Sequence, residues 1–308
     1  MKLSIVTTLY QSAAYVEPFC RRAAEAARAI TDDFEIVLVN DGSPDDSLAR
    51  AVSLAEQDPR LVVVDLSRNF GHHKAIMTGL AHARGEQVFL LDSDLEEAPE
   101  WLSEFFEVRV REGCDVVYGV QAERRGDAFE RISGRWFYRL FSAMTGMALP
   151  ENVTTVRLMT RRYVEALLRH DEREVFLAGL WMITGFDQRP LPVRKLSTSE
   201  TTYTLRRKLS ILVNSVTSFS NAPLVGIFYI GLGISLLAGL YTAYLVINWM
   251  FFAQPPSGWT SVMASIWLIG GMVISFIGVV GIYLSKIFSE TKRRPYTIVR
   301  RVYAQDND

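Results

Sequence analysis

Three polar segments follow apolar, strand-like runs, and their side chains are suited to binding cations and phosphates. Asp41 lies in the first segment, Arg68 in the second, and Asp92, Asp94 and Glu96 in the third. Taken alone, the segment around Asp41 is also a good turn followed by a helix cap. Carboxylates at positions i and i+2 repel each other unless a cation lies between them. The third segment therefore predicts a metal site.

The ligand types in this third segment narrow the choice of metal. Oxygen ligands alone favour Mg²⁺ or Mn²⁺ over zinc. Such an ion keeps several waters and is usually shared with substrate phosphates, so a nucleoside diphosphate is the expected partner. Cys20 and Cys114 are far apart and have no second Cys or His at ligand spacing, which disfavours a disulfide framework or a zinc site.

Strand-like apolar runs alternate with helical stretches in the part of the chain that carries these segments. Several runs are apolar at successive residues, as expected of central strands covered on both faces. This βαβ series predicts an α/β fold with a doubly wound, mostly parallel sheet, whose ligands bind beyond the carboxyl ends of the strands. The predicted strands are Leu3–Thr7, Glu35–Val39, Leu61–Leu66, Gln87–Leu91 and Asp115–Tyr118. The predicted helices are Tyr15–Ala29, Ser47–Glu56, His72–Ala83 and Glu100–Arg111.

The charge distribution divides the chain into a soluble and an apolar part. The 308 residues carry a net charge of −1, which gives no reason to expect a nucleic-acid partner, and residues 224–284 contain no Lys, Arg, Asp or Glu. Leu224–Phe252 and Val262–Leu284 exceed the ~20 apolar residues that cross a membrane. A buried helical hairpin in a soluble protein is the alternative. Basic residues flank this pair of segments and the loop between them has none, so both termini should be cytoplasmic.

Four regions follow from these patterns. The opening MKLSIVTTLY lacks the apolar core of a signal peptide and predicts a strand, so the soluble domain should stay in the cytosol. Thr204–Pro223 combines a basic start with helical apolar spacing, which indicates an amphipathic helix on the inner leaflet or one packed against the soluble domain. We expect a soluble domain over 1–203, this amphipathic segment over 204–223, a two-helix anchor over 224–285 and a basic cytosolic tail over 286–308.

The ordered motifs and the anchor together resemble a known family. The order is Asn40–Ser43, Ser67–His72, Asp92–Glu96 and Arg157–Met159, followed by the two spans. It is similar to the family 2 glycosyltransferases that load polyprenyl phosphates, in particular the bacterial bactoprenol glucosyltransferase type, related to dolichol-phosphate mannose synthase. The resemblance covers essentially the whole chain.

This resemblance implies a GT-A fold and inverting sugar transfer in a bacterial inner membrane, with the catalytic domain in the cytoplasm. The donor would be a nucleotide sugar, with uridine diphosphate glucose as the first choice, and the acceptor undecaprenyl phosphate, giving a lipid-linked sugar for cell-envelope glycans. Relatives imply a homotetramer. Asp41 would hold the uridine or ribose, Asp92 and Arg68 would contact the nucleotide, and Asp94 with Glu96 would bind Mg²⁺ or Mn²⁺.

Two positions depart from the family pattern. The family usually has Gln where this chain has Glu96, which adds one negative charge to the metal site. Many bactoprenol-type members have an acid where this chain has Thr155, and Thr cannot serve as a catalytic base. Because a phosphate monoester is largely dianionic at neutral pH, its second pKa being about 6, the acceptor needs no base.

Catalysis would then depend on positioning and charge stabilisation. Asp94 would hold the metal that neutralises the leaving diphosphate, and Arg157 would hold a phosphate. Arg131 and Arg135 are four apart on one face of a predicted helix and would do the same, with a solvated basic face as the alternative. His72 follows a glycine at a predicted helix start, where anions are favoured, or is simply solvated.

Other classes of protein fit less well. A processive polysaccharide synthase should carry Gln-x-x-Arg-Trp and more spans, but Ile132 stands three residues before Arg135. An inactive membrane scaffold is supported only by Thr155. A phosphatase with an aspartyl nucleophile would want Thr or Val where Glu96 stands.

Overall fold

The computed structural model describes residues 1–121, 142–144, 152–195, 213, 216–217, 220–252 and 258–305. The chain forms two compact units. The first comprises residues 1–138, 148–204 and 293–308, and the second comprises 139–147 and 205–292.

The first unit contains an eight-stranded sheet with helices between its strands. The strands are β1 (Leu3–Leu9), β2 (Phe34–Asn40), β3 (Leu61–Leu66), β4 (Gln87–Leu90), β5 (Val116–Gln121), β6 (Val153–Thr160), β7 (Gln188–Val193) and β8 (Val299–Tyr303). The helices are α1 (Val16–Arg28), α2 (Ser47–Ala55), α3 (His72–His82), α4 (Leu102–Glu112), α5 (Arg161–Leu168) and α6 (Leu177–Ile183).

Strand order β7-β5-β6-β4-β1-β2-β3-β8 makes the sheet mixed but mostly parallel. Strands β4, β1, β2 and β3 run parallel to one another, as do β5 and β7. All seven residues of β1 and of β2 are buried, because helices cover both faces of the sheet. The α/β fold predicted from the sequence is confirmed.

Strands β6, β7 and β8 were not among the predicted elements. Strand β6 runs antiparallel between β4 and β5, and its Arg157 is in register with Leu90 on one side and Tyr118 on the other. Strand β6 (VTTVRLMT) mixes polar and apolar residues and includes the charged Arg157, whereas the prediction relied on fully apolar runs.

The C-terminal residues add the edge strand β8, antiparallel to β3. Arg300 Nη1 lies 3.2 Å from Asp65 Oδ2, and the Thr78 and Thr297 hydroxyls lie 2.8 Å apart. Residues 286–308 were predicted to form a basic cytosolic tail, whereas Val299–Tyr303 belongs to the sheet. This short strand has little alternation of polar and apolar residues. The sequence alone therefore does not reveal that it pairs with β3.

The second unit contains two long helices, α7 (Ala222–Phe252) and α8 (Trp259–Thr291). Within them, Ala222–Tyr241 and Leu268–Thr291 are each long and apolar enough to cross a membrane. Large apolar side chains are exposed on both helices, for example Leu237 at 68% and Ile274 at 73%. Two apolar helices after the catalytic domain were predicted. The predicted amphipathic helix over 204–223 lies almost wholly outside the described residues.

Candidate active site

The loops that follow β2, β3 and β4 meet at the carboxyl edge of the sheet. Parallel pairing aligns the ends of these strands, with Leu9 beside Asn40 and Asn40 beside Asp65. The structure joins the loops through side chains: Asp41 contacts the β3–α3 loop, and His72 Nε2 lies 3.4 Å from Asp92 Oδ1. The three polar segments thus form one surface, as expected of a parallel α/β sheet.

Asp41 fixes the β3–α3 loop through both carboxylate oxygens. The amides of Phe70 and Gly71 donate to Asp41 Oδ1 and Oδ2 at 2.7 and 3.0 Å. Burial raises the pKa of Asp41, while the two amides act in the opposite direction. Each carboxylate oxygen can accept a second hydrogen bond. Asp41 therefore holds the loop whether or not it also contacts a nucleotide.

Glycine is required next to Asp41 by close backbone packing. Gly42 has φ +57°, and a Cβ there would lie 2.4 Å from the backbone of Arg68 and Asn69. Any other residue would push the β2–α2 and β3–α3 loops apart. Arg68 itself is exposed, with its guanidinium 4.0 Å from the centre of the Phe70 ring.

A tight turn after β4 gathers the acidic side chains. Leu95 has φ +62°, and the Glu96 amide donates to Asp94 Oδ1 at 3.0 Å. This side-chain bond to the backbone two residues on is the usual way in which Asp stabilises a turn. Burial raises the pKa of Asp94, and the neighbouring charges of Asp92 and Glu96 add to the effect.

Lys195, which follows β7, lies among these acids. Its Nζ is 3.5 Å from Glu96 Oε2, 3.7 Å from Glu97 Oε1 and 4.0 Å from Asp92 Oδ2. Burial alone would lower the pKa of Lys195, but the surrounding carboxylates outweigh burial and raise it. The ammonium group therefore stays charged and neutralises part of the acidic cluster, defined here as Asp92, Asp94, Glu96 and Glu97.

Glu97 is the buried member of the acidic cluster. Its carboxylate accepts hydrogen bonds from the amides of Thr155 and Asp92 at 3.1 and 3.3 Å. Burial raises the pKa of Glu97 to about 7. Glu97 therefore places a carboxyl group against the backbone amide of Thr155.

The acidic cluster suits a hard divalent ion that shares its coordination with a ligand. Its potential ligands are carboxylate oxygens, and burial, with added repulsion from Asp92 and Glu96, raises the pKa of Asp94. In the described ranges, no group of three or more His, Cys, Asp or Glu side chains is arranged to hold an ion on its own. Mg²⁺ is commonly bound through one or two carboxylates plus substrate phosphates, so Asp94 and Glu96 fit that role.

Arg157 is a fully buried cation beside this cluster. Its guanidinium donates to the carbonyls of Thr154 and Thr155 and lies 3.0 Å from the centre of the Trp181 ring. Burial lowers the pKa of Arg157 to about 9, so the group remains charged at neutral pH. Among the residues that the structure describes, no carboxylate forms an ion pair with Arg157. An anionic ligand would meet an uncompensated charge there.

Arg157 opens onto a cavity of about 200 Å³. Burial lowers the pKa of His73, whose Nδ1 lies 3.2 Å from the carbonyl of Val175. The lining is mostly apolar and aromatic, with a few polar groups that could orient a ligand. The lining residues are His72, His73, Ile76, Tyr118, Val153, Thr154, Thr155, Arg157, Phe176, Ala178, Trp181, Met182 and Gln188.

The structure brings most of the predicted site residues to one edge. Asp41, Asp92, Asp94 and Glu96 lie in the joined loops, and Arg157 is linked to them through Thr155. Arg68 is on the same edge but turns onto the Phe70 ring. The roles predicted for these residues stay predictions. Arg131 and Arg135, together with the rest of 122–141, lie outside the described residues.

Three residues of the site were missed. Glu97 directly follows the predicted metal ligand Glu96, and this adjacency was the available signal. Lys195 and Trp181 carry no motif and lie far from the acids in sequence. Only the pairing of β7 with β5 brings Lys195 to the edge.

Comparison with known proteins agrees with this architecture. Residues 4–168 match the family described as Glycosyl transferase family 2. A Mycobacterium tuberculosis protein named as a glycosyltransferase is 54% identical over 306 residues, covering 99% of this chain and 90% of the relative. The bactoprenol glucosyl transferase of Shigella phage SfII is 31% identical over 304 residues and 98% of each chain.

A solved structure of glucosyl-3-phosphoglycerate synthase from Mycobacterium tuberculosis, in complex with Mn²⁺ and uridine diphosphate, also aligns. It covers 71% of this chain and 80% of its own, with 18% identity and a TM-score of 0.45. The family match spans β1 to α5, the part of the chain that carries the acidic cluster and Arg157. The chain belongs to glycosyltransferase family 2 and has the GT-A fold that its motifs implied.

Proposed function

We propose that this chain transfers a sugar, with inversion, from uridine diphosphate glucose or a related nucleotide sugar to undecaprenyl phosphate. The reaction takes place at the cytoplasmic face of a bacterial inner membrane. The C1–O bond to the diphosphate breaks, a new C1–O bond forms to the acceptor phosphate, and the nucleoside diphosphate leaves. The product supplies sugar to a cell-envelope glycan.

One observation carries the proposal: an acidic cluster and a buried, unpaired arginine flank Thr155 at one sheet edge. Glu97 accepts the Thr155 amide, and Arg157 donates to the Thr155 carbonyl. A site that brings a phosphate donor and a phosphate acceptor together needs both cation-binding and anion-binding groups. The relatives named bactoprenol glucosyl transferase support the choice of acceptor.

The acidic cluster and the residues beside it bind the donor. Asp94 and Glu96 hold Mg²⁺ or Mn²⁺ together with the diphosphate, while Asp92, Asp41 and Arg68 contact the nucleotide. When bound, the metal supplies positive charge to the diphosphate as it leaves. His72, whose Nε2 is 3.4 Å from Asp92 Oδ1, orients that carboxylate.

The arginine side chains bind the acceptor. Arg157 holds the acceptor phosphate at the mouth of the cavity, with Arg131 and Arg135 as further cations for either phosphate. Because the acceptor phosphate is largely dianionic above its second pKa of about 6, it attacks without losing a proton. Thr155 can therefore replace an acid without loss of the reaction.

The two apolar helices give the enzyme access to its lipid. Helices α7 and α8 cross the membrane, with both ends on the cytoplasmic side because basic residues flank the pair. The prenyl chain stays in the bilayer while its phosphate reaches the sheet edge. Copies of the chain assemble as a homotetramer.

Purified full-length protein in detergent, incubated with undecaprenyl phosphate and a panel of radiolabelled sugar nucleotides, tests the proposal. We expect label in an organic-extractable, mild-acid-labile lipid with Mg²⁺, and none with a chelator or with Asp94→Ala. The active donor identifies the sugar. Folded protein that gives no labelled lipid with any donor would contradict the proposal.

A second candidate is an inactive membrane scaffold of the same fold, which the presence of Thr155 favours. It predicts binding of uridine diphosphate without transfer. Substituting Thr155→Asp distinguishes the two proposals, because gain of transfer only in the variant would identify the natural chain as inactive.

A further inference from the structure

Lys195 occupies the position from which a cation would approach the acidic cluster. Its ammonium contacts three of the four carboxylates, the nearest being Glu96 Oε2 at 3.5 Å. The Lys195 side chain is only 23% exposed, so water screens these contacts weakly. Lys195 thus places a positive charge among the carboxylates of the acidic cluster.

A metal ion at Asp94 and Glu96 would compete with this lysine. Both cations draw on the Glu96 carboxylate, and two positive charges within a few ångströms repel each other. Arrival of a nucleoside diphosphate changes the balance, because its negative charges attract the ammonium and the metal together. Lys195 thus disfavours the metal alone and favours the metal with a diphosphate.

Glu96 and Lys195 form the shortest of these contacts. A glutamine at position 96 would leave the acidic cluster one charge less negative. The Glu96 carboxylate is a possible metal ligand, and the Lys195 ammonium lies against it in this structure.

We propose that Lys195 is the resident counter-ion of the acidic cluster, which weakens divalent-metal binding in the free enzyme and couples it to the nucleotide diphosphate. This role of Lys195 rests on the metal site of the proposed function. It adds to that site a residue that regulates metal binding. Lys195 acts through the carboxylates and is a positioning residue.

Mn²⁺ binding to the full-length protein in detergent, followed through the electron paramagnetic resonance signal of free Mn²⁺, tests the proposal. Without nucleotide, Lys195→Met should bind Mn²⁺ about tenfold more tightly than the natural chain, since one repelling charge is gone. Addition of uridine diphosphate should tighten Mn²⁺ binding less in Lys195→Met than in the natural chain, since coupling between two ligands is reciprocal.

Three variants control this measurement. Lys195→Arg keeps the charge and should bind Mn²⁺ as the natural chain does, while Arg194→Met removes an exposed neighbouring charge and should have little effect. Lys195→Gln checks the result if the methionine variant unfolds. In a Glu96→Gln background, the gain from Lys195→Met should shrink, because the shared carboxylate is absent.

The outcomes separate the two proposals. If Asp94→Ala abolishes Mn²⁺ binding but Lys195→Met binds like the natural chain, the role of Lys195 is wrong and the metal site stands. If the natural chain, Lys195→Met and Asp94→Ala show the same weak binding with uridine diphosphate present, the metal site is wrong and the role of Lys195 falls with it.

Discussion

The two halves of the sheet contribute opposite charges to the same edge. The parallel half, β1 to β4, carries Asp41 and the acidic cluster in the loops after its strands. The other half, β5 to β7, carries Arg157 within β6 and Lys195 just after β7. Where the halves meet, Lys195 neutralises part of the acidic cluster, whereas Arg157 forms no ion pair with a carboxylate among the described residues.

This difference shows two ways in which a fold places chemical groups. The acids follow successive parallel strands, so their positions in sequence already indicate one common edge. The cations depend on β6 entering antiparallel between β4 and β5 and on β7 pairing with β5. Local sequence determines the first arrangement, and long-range strand pairing determines the second.

The largest effect should come from removing a charge in the acidic half. Asp94→Asn should lower sugar transfer about 100-fold or more, because the metal that stabilises the leaving diphosphate loses a ligand. Initial rates with saturating donor and Mg²⁺ measure this loss. Asp46→Asn is the matched control, since Asp46 is exposed and its side chain makes no cap bond. Equal losses in the two variants would contradict a special role for Asp94.

A smaller effect on sugar transfer should come from replacing Arg157 with a different cationic side chain. Arg157→Lys keeps the charge but loses the planar contact with Trp181 and the bonds to two carbonyls. We expect transfer to fall about 10-fold to 100-fold, mainly through a higher KM for undecaprenyl phosphate. A rise confined to the KM for the nucleotide sugar would assign Arg157 to the donor instead.

The contact between the halves should show a pH dependence. Burial raises the pKa of Glu97 to about 7, above its value in the unfolded chain. Such a group stabilises the fold below the unfolded pKa, and this contribution is lost as pH rises through the folded pKa. From about pH 5 to about pH 8, the natural chain should therefore lose on the order of 2 kcal/mol more stability than Glu97→Gln. Melting curves in detergent across that range measure the difference, and parallel pH profiles would contradict it.

The smallest effect should come from the edge strand β8. Arg300→Ala removes the partner of buried Asp65, but Arg300 itself is 58% exposed, so we expect a loss of only about 1 kcal/mol. Arg294→Ala, at an exposed position, is the control and should be neutral. The midpoint of denaturant unfolding of the purified chain would reveal the difference. A loss of transfer without a loss of stability would instead link β8 to the active site.

The first five strands could be predicted because each contains an apolar run, which is fully buried in β1, β2 and β3. The acidic turn after β4 could also be predicted, since neighbouring carboxylates in sequence remain neighbours in space. Strand β8 was not predicted, because two of its five residues are basic and four are exposed, and its stability comes from pairing with β3. Trp181 lies in a short helix whose contact with Arg157 has no local signature.

The sequence alone determined the family, the α/β class, the acidic loop after β4 and the two apolar helices. Each of these depends on residue type and spacing within a short stretch, where local physics decides. The tertiary structure alone decided that Lys195 lies against Glu96, that Glu97 contacts Thr155, and that Arg157 stacks on Trp181. Those contacts join residues distant in sequence, and they form through long-range packing of strands and helices rather than through local sequence.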